Sequence, residues 1–181
     1  MNRPFTDMSI RSLILGSLIA GSLVMGSLAA CGGGSDDSTP PLRVDLIEGA
    51  LDAVEERSDS PVSYFEVNAT PLVVNLFVST TNDSVVQYVY DGTTLVGPSE
   101  PLEAEGTTFD RALLDFAPDD MLEEVLGELP DSQPYMFVIN GLGTDVVASR
   151  VEYRILLRSV KGGELAVVVD RTGGIIGTDA E

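Results

Sequence analysis

One spacing of apolar residues occurs twice, and it limits what the chain can become more than any other feature. Leu46, Ile47, Ala50, Leu51 and Val54 stand at i, i+1, i+4, i+5 and i+8, and Met121, Leu122, Val125, Leu126 and Leu129 repeat that set 75 residues later. A set of this kind lines one face of an amphipathic helix. Pro118, followed by Asp119 and Asp120, marks the start of the second helix. There a proline forfeits no hydrogen bond and acids meet the positive end of the helix dipole.

Each helix is followed by the same order of strand signals. Phe65, Val67 and Asn68 alternate as Phe137, Ile139 and Asn140 do, at an offset of 72. Leu72 to Val78 and Val85 to Tyr90, around Thr81-Asn82-Asp83, read as a hairpin. Val151 to Leu157 and Leu165 to Val169, around Gly162-Gly163, read as its counterpart at an offset of 79. Asp91 and Asp170 close the two hairpins, and Leu95-Val96-Gly97 matches Ile175-Ile176-Gly177 at an offset of 80. Duplication of one unit accounts for this order, and so does chance likeness between two helix-then-strands segments. Neither unit has enough elements to bury its own apolar face. The expected fold is therefore α+β, a two-layer sandwich of one antiparallel sheet with helices on one face. It is built from two helix-plus-strands repeats, residues 43–98 and 118–181, which share one globular domain. Residues 99–117 connect them, with Phe109 to Phe116 as a short helix.

No disulfide can help this fold, because Cys31 is the single cysteine. About 140 residues follow residue 42, enough for one sizeable core held by burial alone. The chain has no histidine, so the common zinc sites, Cys/His nucleophiles and Ser/His/Asp triads cannot be assembled. Its formal net charge is −19. Without residues 1–30, which hold Arg3, Arg11 and Asp7, it is −20, with Lys161 the one lysine. Phosphate recognition needs clustered Lys and Arg, so nucleic acid is excluded as a partner.

The N-terminal segment reads as an export signal. Arg11 precedes an 18-residue apolar run from Leu13 to Ala30, and Met8 offers an alternative start. That length also lies at the low edge of a membrane-spanning helix, but three glycines and three serines lower its hydrophobicity. The run ends in Leu28-Ala29-Ala30-Cys31, which resembles the lipobox of bacterial lipoproteins. The resemblance implies cleavage of a signal peptide, residues 1–30, and a diacylglyceryl thioether on Cys31. Two acyl chains anchor firmly where one binds marginally. The implied place is the cell envelope, outside the cytoplasm, and the outer membrane where the cell has one. Residues 31–42 then form the lipidated cysteine and a flexible linker, Gly/Ser-rich turning Pro-rich.

Ala166 to Gly177, AVVVDRTGGIIG, resembles the closing strand pair of PepSY-type modules, and Gln87 to Gly97 is a degraded version of it. Tandem helix-plus-sheet units also resemble the build of a secreted β-lactamase inhibitor protein. Both resemblances imply a module that binds or inhibits another protein and does not catalyse.

Chemistry-bearing patterns are few. Asp91-Gly92-Thr93 is not the Asp-Thr/Ser-Gly of aspartic proteases, and Lys161 in a Gly-Gly turn is too exposed for a Ser/Lys dyad. Gly141-Leu142-Gly143-Thr144-Asp145 has the spacing of calcium-binding β-roll repeats, but those act in tandem and this copy reads as a loop. No catalytic residue, metal ligand or cofactor is expected.

The informative pattern is an alternation of Arg150, Glu152, Arg154, Leu156 and Arg158 with Val151, Tyr153, Ile155 and Leu157. A strand sends the two sets to opposite faces, which leaves the arginines outside and the second set under the helices. With Gly162-Gly163 as a two-residue turn, Val167 pairs with Arg158 and Val169 with Leu156. Carried to the first half by 79 residues, this register puts Asn75, Phe77, Tyr88 and Tyr90 outside, joined by Tyr64 and Glu66. The expected binding face is thus Tyr64, Phe77, Tyr88, Tyr90, Arg154, Leu156, Arg158 and Val169, with the aromatic and arginine bias of interaction surfaces. Ordinary cross-strand pairing on a solvated sheet is the alternative account. The function this implies is a non-enzymatic, membrane-anchored lipoprotein that binds an envelope or secreted protein or a cell-wall component. A carrier of lipid or another apolar small molecule is the rival, and it requires an apolar pocket above about 300 Å³.

Overall fold

In the computed structural model, residues 40–80, 84–143, 147–148 and 150–180 are described, all within a unit that spans Ser38–Glu181. Cys31, the linker before residue 40, the hairpin tip Thr81-Asn82-Asp83, and Thr144 and Asp145 lie outside them.

A 3₁₀ turn at Val44–Leu46 leads into helix α1, Ile47–Glu55. Ile47, Ala50, Leu51 and Val54 are buried on one face, the spacing that the sequence displays. Strands β1 (Ser63–Ala69), β2 (Val74–Ser79), β3 (Ser84–Tyr90) and β4 (Leu95–Val96) follow. The connector carries two short strands, β5 (Leu102–Glu103) and β6 (Phe109–Asp110), and a 3₁₀ turn at Arg111–Leu113. The helix expected over Phe109 to Phe116 is therefore corrected. Phe109 pairs with Tyr64 across β6 and β1 and is fully buried, which fixes the start of that stretch as extended and leaves only the 3₁₀ turn after it.

Helix α2, Pro118–Glu128, begins on Pro118 with Asp119 and Asp120 in its first turn and buries Met121 and Val125. It stops before Pro130. Strands β7 (Ser132–Leu142), β8 (Arg150–Ser159), β9 (Glu164–Val169) and β10 (Ile175–Ala180) complete the chain. Leu72, expected in the second strand, stands outside it and is 75% exposed.

The strands form one open antiparallel sheet in the order β10-β9-β8-β7-β1-β2-β3-β4, with β5 beside β3 and β6 beside β1. Val74, Leu76 and Val78 pair with Tyr90, Tyr88 and Val86. Adding 79 to each number gives the observed pairs Tyr153 with Val169, Ile155 with Val167, and Leu157 with Leu165. In β1 a bulge at Phe65 separates the pairs Tyr64 with Val78 and Glu66 with Phe77. In β7 a bulge at Tyr135 separates Pro134 with Leu157 and Met136 with Leu156. Phe65 therefore corresponds to Tyr135, an offset of 70, and the expected match of Phe65 with Phe137 is corrected. Each bulge inserts one residue that the partner strand does not oppose, which a linear comparison of strands misses.

The core is one cluster that joins Ile47, Leu51, Met121 and Val125 of the helices to alternate strand residues, among them Val67, Val74, Leu76, Ile139, Ile155 and Leu157. Phe116 stacks on Tyr153 at 5.1 Å between ring centroids and on Phe137 at 6.1 Å. Arg111 ties the connector to α1, bonding Glu48 and Asp52 at 2.5 Å and Glu55 at 3.1 Å. These acids sit one turn apart, and their bonds, led by that of Asp52, hold the Arg111 guanidinium well above its ordinary value.

Candidate functional site

Strand β8 behaves as its alternation requires. Tyr153, Ile155 and Leu157 are buried in the core, while Glu152, Arg154, Leu156 and Arg158 point to the outer face, away from it. Arg154 and Arg158 keep 37% and 59% of their side-chain surface, enough to meet a partner without unfolding anything.

The turn after β8 is one residue longer than expected. The Ser159 N–H donates to the Gly163 carbonyl at 3.1 Å and the Gly162 N–H to the Ser159 carbonyl at 2.9 Å, so Val160, Lys161 and Gly162 form the loop. Both glycines have positive φ, +95° and +93°, which two-residue and three-residue hairpin loops both use, so the hydrogen bonds and not the glycines set the loop length. Leu156 consequently pairs with Ala166, and Arg158 with Glu164. The register moves by an odd number of residues, and an odd shift exchanges the two faces of a strand. Val169 is thus 2% exposed in the core, and its placement on the outer face is corrected.

The same exchange corrects two tyrosines of the first half. Tyr88 and Tyr90 lie opposite Leu76 and Val74 and pack, half-buried, against the core. A Cβ built at Gly49 of α1 would stand 3.5 Å from the Tyr90 ring. Tyr64 is also corrected. It has no exposed surface and lies 5.8 Å from the Phe109 ring, and its hydroxyl donates to Glu55 Oε1 at 3.4 Å. Burial, then the neighbouring Glu55 carboxylate, pushes its phenol well above the ordinary range. Of the expected face, Arg154, Leu156 and Arg158 lie outside on β8 and Phe77 lies outside on β2, three strands away, and Cys31 lies outside the described residues.

A polar chain that sequence reasoning did not assemble crosses the middle of that face. Gln87 Nε2 donates to Asn75 Oδ1 (3.0 Å), Asn75 Nδ2 to Asn68 Oδ1 (2.8 Å) and Asn68 Nδ2 to Glu66 Oε1 (2.6 Å). From the other side Asn140 Nδ2 donates to Glu66 Oε2 at 3.2 Å. Four strands are linked, and two of the four donations, from Asn68 and Asn140, meet on one carboxylate. Asn68, at 6% exposure, is almost enclosed by its neighbours. The available signal was amides at alternate strand positions, where apolar or charged residues are usual.

On the β7–β9 side of this chain lie Met136, Val138, Leu156, Ala166 and Val168, placed there by the pairing of their strands. Arg158 borders them, donating to Glu164 at 2.9 Å and standing 5.0 Å over the Tyr135 ring. That bond, above all others, holds Glu164 below the usual carboxylate range. On the other side lie Phe77, Val85 and Val89. The outer face is therefore two apolar patches divided by an amide stripe, less aromatic than expected.

The hairpin-closing acids form turns of one kind. Asp91 Oδ1 accepts from the Thr93 and Thr94 N–H groups, both at 2.8 Å. Asp170 Oδ1 accepts from the Thr172 N–H at 2.8 Å and the Gly174 N–H at 3.1 Å. For Asp91 the Thr94 N–H is the main reason its carboxyl lies below the ordinary value, and for Asp170 it is the Thr172 hydroxyl.

Among the described residues no three His, Cys, Asp or Glu side chains are placed to hold a metal ion, and no helix is long and apolar enough to cross a membrane. No protein-family model matches the chain, and no curated protein or solved structure is significantly similar to it.

Proposed function

We propose that this chain is a lipid-anchored lipoprotein of the bacterial cell envelope, non-enzymatic, that binds another protein through the outer face of its sheet. The observation that carries the reading is the grouping around Leu156. Met136, Val138, Ala166 and Val168 form an apolar patch beside it, and Arg154 and Arg158 flank it on the same strand. An apolar centre rimmed by arginine and an aromatic ring matches the anatomy of interaction surfaces. Three acids on that face are engaged already: Glu66 by two amides, Glu152 by Arg154, and Glu164 by Arg158 and Tyr135.

Within this reading the domain is a two-layer sandwich with both helices on one side, made of two equivalent units. The residue-for-residue register of the two hairpins and the matching bulges at Phe65 and Tyr135 support that origin.

Two experiments test the proposal. Metabolic labelling with an alkyne fatty acid is expected to mark the parent and not Cys31→Ser, which leaves the membrane fraction. A Cys31→Ser protein that still labels rules out the anchor. For binding, a partner crosslinked on the intact cell and identified by mass spectrometry is expected to be lost from Leu156→Glu and kept by Leu72→Glu, a change at an exposed apolar residue outside the patch. Equal capture by both variants removes the outer face as the site.

A further inference from the structure

Eight basic side chains follow residue 30, set among 28 acids. Five of them form ion pairs: Arg43 with Asp45, Arg154 with Glu152, Arg158 with Glu164, Lys161 with Asp131, and Arg171 with Asp115. Arg111 holds three acids of α1, and Arg57 donates to the Leu95 carbonyl at 2.8 Å. Arg150 alone has no hydrogen-bond or ion-pair partner among the described residues.

Arg150 lines a depression of about 460 Å³ at the start of β8, which adjoins the Leu156 patch at Val168. Leu142, Ile176 and Leu113 give the depression an apolar wall, and Ile176 is 68% exposed there. Its acids are occupied. Asp115 accepts from Arg171 at 2.8 Å, Glu152 from Arg154 at 2.5 Å, and Asp170 Oδ1 from the Thr172 hydroxyl at 2.7 Å besides its turn amides. Among the described residues the lining therefore holds one cation without an ion-pair partner, Arg150, whose planar donor fork suits a carboxylate, and one acid without a cation, Asp170, whose Oδ1 is committed to its own turn, beside apolar surface of a size that takes a small molecule.

We infer that this depression binds a small monocarboxylic acid with a short apolar chain, its carboxylate on Arg150 and its chain along Leu142 and Ile176. A single negative charge is required, because a second carboxylate at the far end would lie near Asp115 and Asp170.

The test is calorimetric titration of the full chain in lipid nanodiscs, with empty discs as the blank. The probes are hexanoate, hexanamide and hexanedioate. Saturable binding of hexanoate is expected, with hexanamide, hexanedioate and the Arg150→Gln variant each weaker by about tenfold or more, the scale of one charge-assisted hydrogen bond. Arg150→Lys, which keeps the charge and loses the fork, is expected to fall between parent and Arg150→Gln. Equal binding of hexanoate and hexanamide, unchanged affinity in Arg150→Gln, or no saturable hexanoate binding overturns the assignment.

Discussion

Hairpins β2–β3 and β8–β9 pair residue for residue at a separation of 79, yet they dress the same backbone differently. Inside, the first carries Tyr88 and Tyr90 where the second carries Val167 and Val169. The Tyr90 ring meets α1 at Gly49, which has no side chain to oppose it. Behind the smaller valines the chain itself comes closer to α2. A Cβ at Gly173, in the turn after β9, would stand 2.8 Å from the Met121 Cα. Outside, the first hairpin carries the Asn75–Gln87 portion of the amide stripe, and the second carries Leu156 between its arginines. A shared register thus fixes which positions are inside, while side-chain size decides how the helix is met and side-chain polarity decides which half offers a binding patch.

The largest effects should fall on equivalent inside positions. Leu76→Ala and Ile155→Ala, both fully buried, are each expected to cost about 2 to 5 kcal/mol in chemical denaturation. A cost under about 1 kcal/mol at either one breaks the equivalence of the halves. The two glycines then separate them. Gly173 has φ +93° and meets backbone, so Gly173→Ala should destabilise by more than about 1 kcal/mol. Gly49 lies inside α1 with ordinary contact distance to Tyr90, so Gly49→Ala should stabilise by about 0.5 to 1 kcal/mol. The same sign at both positions contradicts the two modes of helix contact.

How far the chain could be read beforehand follows the range of the interactions. Both helices were legible, because burial at 47, 50, 51 and 54 or at 121 and 125 is a local period. The faces of β8 were legible for the same reason. The length of the Gly162-Gly163 loop was not, since both glycines serve a two-residue and a three-residue turn alike, and that one ambiguity misplaced Val169, Tyr88 and Tyr90. The bulges at Phe65 and Tyr135 exist only in the pairing of two strands. Tyr64 was misread as an outer residue, being buried by Phe109 from a connector that reads as a helix. The Arg111 contacts with Glu48, Asp52 and Glu55 span 56 to 63 residues and leave no mark on the local pattern.

Smaller effects sharpen the outer comparison. Asn75→Ala leaves the nearly buried Asn68 carbonyl without its donor and should cost about 1 to 3 kcal/mol. Phe77→Ala, half-buried outside, should cost about 1 kcal/mol or less, and Tyr90→Ala more. Reversal of the last two would mean that the faces are exchanged. Asp91 and Asp170 share a pH signature. Each lies below its ordinary 3.8 in the folded protein, so its contribution is fully present above 3.8 and fades as pH falls through the lowered folded value. In acid unfolding, Asp91→Asn and Asp170→Asn should each be less stable than the parent above 3.8 and lose less stability below it. A variant that follows the parent's acid branch contradicts the turn assignment.

Site-specific photocrosslinking in intact cells tests the binding face most directly. A benzophenone amino acid at position 156 is expected to give a discrete adduct that disappears when Arg158→Glu is added, while the same probe at Val96, 62% exposed but on β4 at the far edge of the sheet, gives none. The same adduct from position 96, or an adduct at 156 that is indifferent to Arg158→Glu, would contradict a partner seated on the Leu156 patch.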